Sequence, residues 1–125
     1  MTRKTYRLTQ TAEAQLKMAI RSTKERWGIA QARTYSADLL AGFQYIAENH
    51  ADFHSPHRDA LAKDTDLLIH LVAHRYIAFQ SHDQDTVIIV GIFHESMDMP
   101  NRLKDLQRMT QNEVATIKRD IETGH

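Results

Sequence analysis

Between Thr86 and His94 the chain reads Thr-Val-Ile-Ile-Val-Gly-Ile-Phe-His. A strand with one wet face alternates apolar and polar side chains, because successive residues point to opposite sides. Val87, Ile88, Ile89, Val90, Ile92 and Phe93 do not alternate. Such a strand must be covered on both faces and lie at the centre of a sheet. The apolar run is also far shorter than the ~20 residues a membrane-spanning helix requires. The rest of the chain therefore has to supply two covers and flanking strands.

The first cover is legible upstream. Tyr6 and Leu8 alternate with polar neighbours over Thr5–Thr9, the period of a short strand. Thr9 or Thr11 offers a helix cap, with Glu13 placed to complement the helix dipole. Ala12, Leu16, Ala19, Ile20, Thr23 and Trp27 then fall on one helical face, with Lys17, Arg21 and Lys24 as a second, solvated stripe. Gly28 suits a left-handed helix terminus. A second helix over about Ile29–Glu48 carries Ala32, Tyr35, Leu39, Phe43 and Ile46 as its apolar stripe. Two amphipathic helices with almost no linker form an antiparallel hairpin, in which Trp27 reads as a core anchor.

Residues 49–66 are irregular, with a helical turn expected around Asp59–Lys63. Leu67–Leu71 and Arg75–Ser81 are strand-like, or together one long bent strand, and His82-Asp83-Gln84-Asp85 makes a hairpin loop before the central strand. Short connections demand antiparallel pairing. A final helix from Pro100 to Glu122, about 34 Å long at 1.5 Å per residue, carries Leu103, Leu106 and Met109 in one apolar series. Val114, Ile117 and Ile121 form another, offset by five residues. The first half is expected to stay on the domain while the second projects toward a second copy of the chain, through the Leu103–Ile121 helix. Either this helix or that second copy covers the other sheet face. The expected fold is α+β: an N-terminal strand, a helical hairpin packed on a small, mainly antiparallel sheet, and a long C-terminal helix. A domain of residues 1–98 carries a helical extension, 99–125.

Composition removes several function classes. The absence of cysteine excludes disulfides, thiolate metal sites and cysteine nucleophiles. No Gly-rich phosphate loop, nucleophile elbow or HExxH occurs. Without a signal-like start the chain is expected to be soluble, unprocessed and cytoplasmic. The zero net charge hides a division along the sequence. Residues 1–35 hold eight Lys/Arg against two Glu, whereas residues 36–101 hold three against ten Asp/Glu. A basic first third favours an acidic partner, unless the two regions neutralise each other in the fold.

Two histidine groupings bear on chemistry. His50, His54 and His57 with Asp52 and Asp59 would need a helix to clamp a metal, and Pro56 interrupts it, so no metal is expected. His70 and His74 share a side only on a continuous strand. His74, Arg75 and Tyr76, with His94 ending the next strand, supply the base, clamp and acid that cleavage of a phosphodiester by its 2′-hydroxyl uses.

Tyr6-Arg7-Leu8-Thr9 leading into the first helix, then Arg26-Trp27-Gly28, Gln31-Ala32, Tyr35 and the ending Ile92-Phe93-His94-Glu95-Ser96-Met97-Asp98, resemble the ParE branch of the RelE/ParE toxins of bacterial type II toxin–antitoxin modules. The resemblance spans residues 5–98. The family often places a glycine before the Arg/His of the third strand, where this chain has Ala73, and residues 103–125 extend past its usual end.

The resemblance implies a toxin that inhibits DNA gyrase by binding and is neutralised by a ParD-like antitoxin, with no cofactor and no membrane. Its target region would include Arg75, His94, Met97 and Asp98. An antitoxin would lie along the hairpin at Lys17, Arg21, Lys24, Trp27 and Tyr35. The rival reading is a RelE-like ribosome-dependent mRNA endonuclease using His74, Arg75, Tyr76 and His94. A pI near 7.1 speaks against it and against direct sequence-specific nucleic-acid binding, since phosphate contacts dominate such affinity.

Overall fold

A computed structural model describes residues 4–53, 62, 64–94 and 98–124. Strand β1 (Thr5–Leu8) precedes helices α1 (Gln10–Trp27) and α2 (Ile29–Asn49) and a 3₁₀ turn at His50–Asp52. Strands β2 (Leu68–Val72), β3 (Arg75–Ser81) and β4 (Thr86–His94) follow, then helices α3 (Met99–Met109) and α4 (Gln111–Glu122). The sheet order is β1-β4-β3-β2, with β1 parallel to β4 and the other pairs antiparallel. The fold is α+β, and β4 is central, with Val87 to Phe93 buried throughout.

Both faces of β4 are covered by this chain itself. On one side Val87, Ile89 and Ile92 join Ala12 of α1 and Phe43, Ile46 and Ala47 of α2. On the other, Ile88, Val90 and Phe93 join Met99, Leu103 and Leu106 of α3 and Val114 and Ile117 of α4. The two sets are not a simple alternation. The β3–β4 register jumps from Ala78↔Gly91 to Phe79↔Ile89, leaving Val90 as the extra residue of a bulge that resets which side chains face which layer. A Cβ added at Gly91 would come within 2.6 Å of a Leu106 methyl group, so that side chain would have to shift.

The bulge lies beyond the last β1–β4 pair, Leu8↔Ile89, so β4 needs partners other than a strand. The start of α1 supplies them. Thr9, fully buried, donates its N–H to the Ile89 carbonyl at 3.0 Å and its hydroxyl to the Val90 carbonyl at 2.8 Å. The same hydroxyl accepts the Ala12 N–H, which caps the helix. Gln15 accepts the Ile92 N–H at 2.7 Å.

Several expectations change. The C-terminal helix is broken at Thr110, whose N–H and hydroxyl both return to the Leu106 carbonyl. The five-residue offset between the two apolar series is absorbed by that break, so both halves lie on the sheet and neither projects. The Leu103–Ile121 side chains that were to join a second copy are spent in this chain's own core, and Met109 alone of the first series is exposed. Trp27 is no core anchor: it is 67% exposed, because the last buried residue of α1 is Ala19 and the first of α2 is Ala32. The hairpin tip stands clear of the sheet.

Residues 67–81 are two strands, not one. Their turn is Ala73-His74, both at positive φ (50° and 64°), so His74 is not in a strand and does not share a side with His70. Two consecutive residues at positive φ give the twist a tight hairpin needs, though Asn-Gly would adopt it with less strain. Gly28 has φ +94° but ψ 173°, an extended rather than a left-handed helical conformation, and one that only glycine adopts readily. The turn expected at Asp59–Lys63 lies outside the described residues except for Ala62, as do His54 and His57 of the histidine cluster. His50 is buried with both ring nitrogens engaged, Nδ1 with the Ser81 hydroxyl and Nε2 donating to the Gln84 carbonyl.

Candidate functional site

Because the hairpin tip clears the sheet, α1 and α2 present two concave surfaces, one on each side of the Gly28 corner. The outer groove, about 590 Å³, is lined by Ile20, Lys24, Ile29, Ala32, Arg33 and Leu40 among others. It is apolar at its floor, and Ile29 and Leu40 are left largely exposed there. The inner groove, about 640 Å³, lies between the tip and the β2–β3 turn and is lined by Thr23, Trp27, Gln31, Tyr35, Asp38 and His74, with Ala73.

The cations of the tip are uncompensated. Among the described residues, Arg21, Lys24, Arg26 and Arg33 have no carboxylate within 4 Å. Lys24 and Arg26 sit in the last turn of α1, where the helix dipole favours positive charge. Arg26 also lies over the Trp27 ring, 5.7 Å from its centroid. Among the described residues, no acid of residues 36–101 forms an ion pair with the basic first third. Lys17 differs: it pairs with Glu13 one turn away at 3.2 Å, an exposed pair of small energetic weight.

The five residues expected to meet an antitoxin thus divide. Lys24 lines the outer groove, Trp27 and Tyr35 line the inner one, and Lys17 and Arg21 lie on the exposed face of α1. Arg33, Ile29 and Leu40 were missed. Ile29, Arg33, Ala37 and Leu40 recur at intervals of four, four and three, a second helical stripe beside the buried one, and that was the available signal.

The residues expected to meet the target converge in part. Arg75 and His94 are cross-strand partners at the end of β3 and β4, so they share a face. Arg75 donates its Nε–H to the Tyr35 hydroxyl at 2.8 Å, joining the end of the sheet to α2 and to the inner groove. One residue assigned to the antitoxin and one assigned to the target are therefore a bonded pair. Asp98 precedes α3 and accepts from the Asn101 amide at 2.7 Å, and Met97 lies outside the described residues.

The nuclease quartet does not assemble. Arg75 faces the hairpin, whereas Tyr76 packs with the cluster on the α3–α4 side, because adjacent strand residues point to opposite faces. His74 sits in the turn. An acid and a charge clamp on opposite sides of a sheet cannot act on one phosphate.

A family model described as the ParE toxin of a type II toxin–antitoxin system, parDE, matches residues 6–99. The chain is 34% identical over 100 residues to Toxin ParE of Escherichia coli, covering 80% of this chain and 93% of that protein.

Proposed function

The chain belongs to the ParE toxin family of type II toxin–antitoxin systems, and we propose that it acts by binding, inhibiting DNA gyrase until a ParD-like antitoxin occupies its helical hairpin. The observation that carries the antitoxin reading is the outer groove: an apolar floor ringed by Lys24 and Arg33, whose charges meet no acid among the described residues. An unstructured acidic segment gains there what it lacks alone, an apolar surface on which to form an amphipathic helix and cations for its carboxylates. No described helix is long and apolar enough to cross a membrane, and the work of such a toxin lies in the cytoplasm with its target.

Family membership supports gyrase as the target, and Arg75 with His94 is the surface we assign to it. The division of Arg75 from Tyr76 by the sheet supports binding over RNA cleavage. Residues 1–98 would hold the toxin surface, and 99–125 would act as the cover of its sheet. Purified toxin added to gyrase and supercoiled plasmid should accumulate linear DNA from trapped cleavage complexes. Plasmid that stays uncut, together with primer-extension stops on translated mRNA, would refute the reading.

A further inference from the structure

The two grooves are the two flanks of one corner. Lys24 and Ile29 open onto the outer groove, while Thr23, Trp27 and Gln31, on the same turns, open onto the inner one. The corner itself is Gly28, and apart from its neighbours Trp27 and Ile29 nothing lies within 4 Å of where its side chain would be. A peptide leaving the outer groove can thus cross at Gly28, with the exposed Ile29 and Trp27 as its apolar neighbours. A helix is about 10 Å across and an extended chain advances about 3.4 Å per residue, so about three residues make the passage.

What waits on the inner side is chemically specific. Trp27, Tyr35 and Arg75 are the residue types that dominate binding energy where proteins meet. Arg75 is half-buried, its Nε–H is held by Tyr35, and among the described residues no carboxylate lies within 4 Å of its guanidinium. Asp38 lines the same groove without pairing to it. A guanidinium fixed at one nitrogen keeps its outer nitrogens for a planar anion, and a carboxylate fits them with two parallel hydrogen bonds.

We propose that the antitoxin segment filling the outer groove rounds Gly28 and seats an apolar side chain on Trp27 and a carboxylate on Arg75. This rests on the antitoxin reading above and adds how neutralisation works. Because Tyr35 and Arg75 are bonded, and Arg75 stands beside His94, the same segment covers the surface offered to the target. Antitoxin and target then compete for one pair of side chains.

Trp27 is the only tryptophan of the chain, so fluorine labelling of that indole isolates the inner groove. The full-length toxin is titrated with the small acidic protein encoded beside it, intact and shortened stepwise from its carboxy terminus. The ¹⁹F resonance should move on binding the intact partner. Arg75→Gln should weaken that complex about tenfold, Tyr35→Phe should weaken it less, and neither should affect the form too short to turn the corner. A resonance that stays put at saturation, or equal affinity of wild type and Arg75→Gln, would overturn the proposal. So would adenosine monophosphate moving the resonance through Arg75 as strongly as the partner does. Tyr35→Phe, a change of one hydroxyl, keeps the test valid if Arg75→Gln folds poorly. Failure of the wild type to form any complex would refute the outer-groove reading itself, a result separate from a complex that ignores Arg75.

Discussion

Thr11 gives both its backbone N–H and its hydroxyl to the carboxylate of Glu113, each at 2.8 Å. Thr11 lies in the first turn of α1 and Glu113 in the first turn of α4, so the bond ties opposite ends of the chain across the edge of the sheet. It satisfies an N–H that the helix leaves unpaired and sets a negative charge at the positive end of the α1 dipole. A 3.9 Å ion pair between Arg7 and Asp120 and a 2.6 Å hydrogen bond from the Asp66 N–H to Gln107 hold the same pair of C-terminal helices.

Replacing Glu113 with Ala should lower stability by about 1–2 kcal/mol, the loss of two charge-assisted bonds at a part-buried site. Glu113→Gln, which keeps acceptors but no charge, should fall between. Urea unfolding decides it: a midpoint unchanged in Glu113→Ala would mean that this carboxylate adds nothing to the hold on the C-terminal helices.

Ending the chain at Asp98 should not merely separate a toxin from an accessory helix. It removes α3 and α4 and uncovers Ile88, Val90 and Phe93 at the centre of the sheet. An apolar sheet face left open drives aggregation. The truncated chain should elute as aggregate or lose its cooperative thermal transition. A monomeric, cooperatively melting product would show that the extension is dispensable for the fold.

Trp27→Ala distinguishes an exposed binding residue from a core anchor. Truncating a buried tryptophan costs about 3–5 kcal/mol, whereas an exposed change of this kind lies within about 0.5 kcal/mol. With two thirds of Trp27 in solvent, the smaller figure is expected in thermal or urea melts. A loss above about 2 kcal/mol would return Trp27 to the core.

His70 sets an acid limit on stability. Its ring is stacked on Tyr45 and edge-on to Phe53, and burial holds its pKa below the ordinary value of 6.5. As pH falls, the unfolded chain takes up the proton first, so the stabilisation is complete above the unfolded pKa and is lost on acidification below it. Melting temperature should therefore drop between pH 7 and 5. His70→Phe, which keeps the ring contacts and removes the titration, should flatten the part of that drop due to His70. Parallel pH profiles for the two proteins would exclude it.

Local order in this protein was legible residue by residue. The unbroken apolar run at Val87–Phe93 marked the central strand, Thr9 or Thr11 marked the start of α1, and His82–Asp85 marked a hairpin loop, because each depends on neighbours within a few positions. The same holds for the resemblance carried by Trp27-Gly28, Tyr35 and the residues after β4. What covers the second face of β4 was not legible. Periodicity shows that Val114 and Ile117 need burial but not against what, and only the break at Thr110 turns them back onto the sheet. Nor could spacing show that Tyr35 and Arg75, forty residues apart, are one bonded pair, or that Trp27 stands in solvent. A helical stripe records which side chains share a face, while how far that face reaches past the core is set by the length of the sheet beneath it. Sequence alone determined most of the elements and the family. The tertiary fold decided which side chains meet, and so where one partner would exclude another.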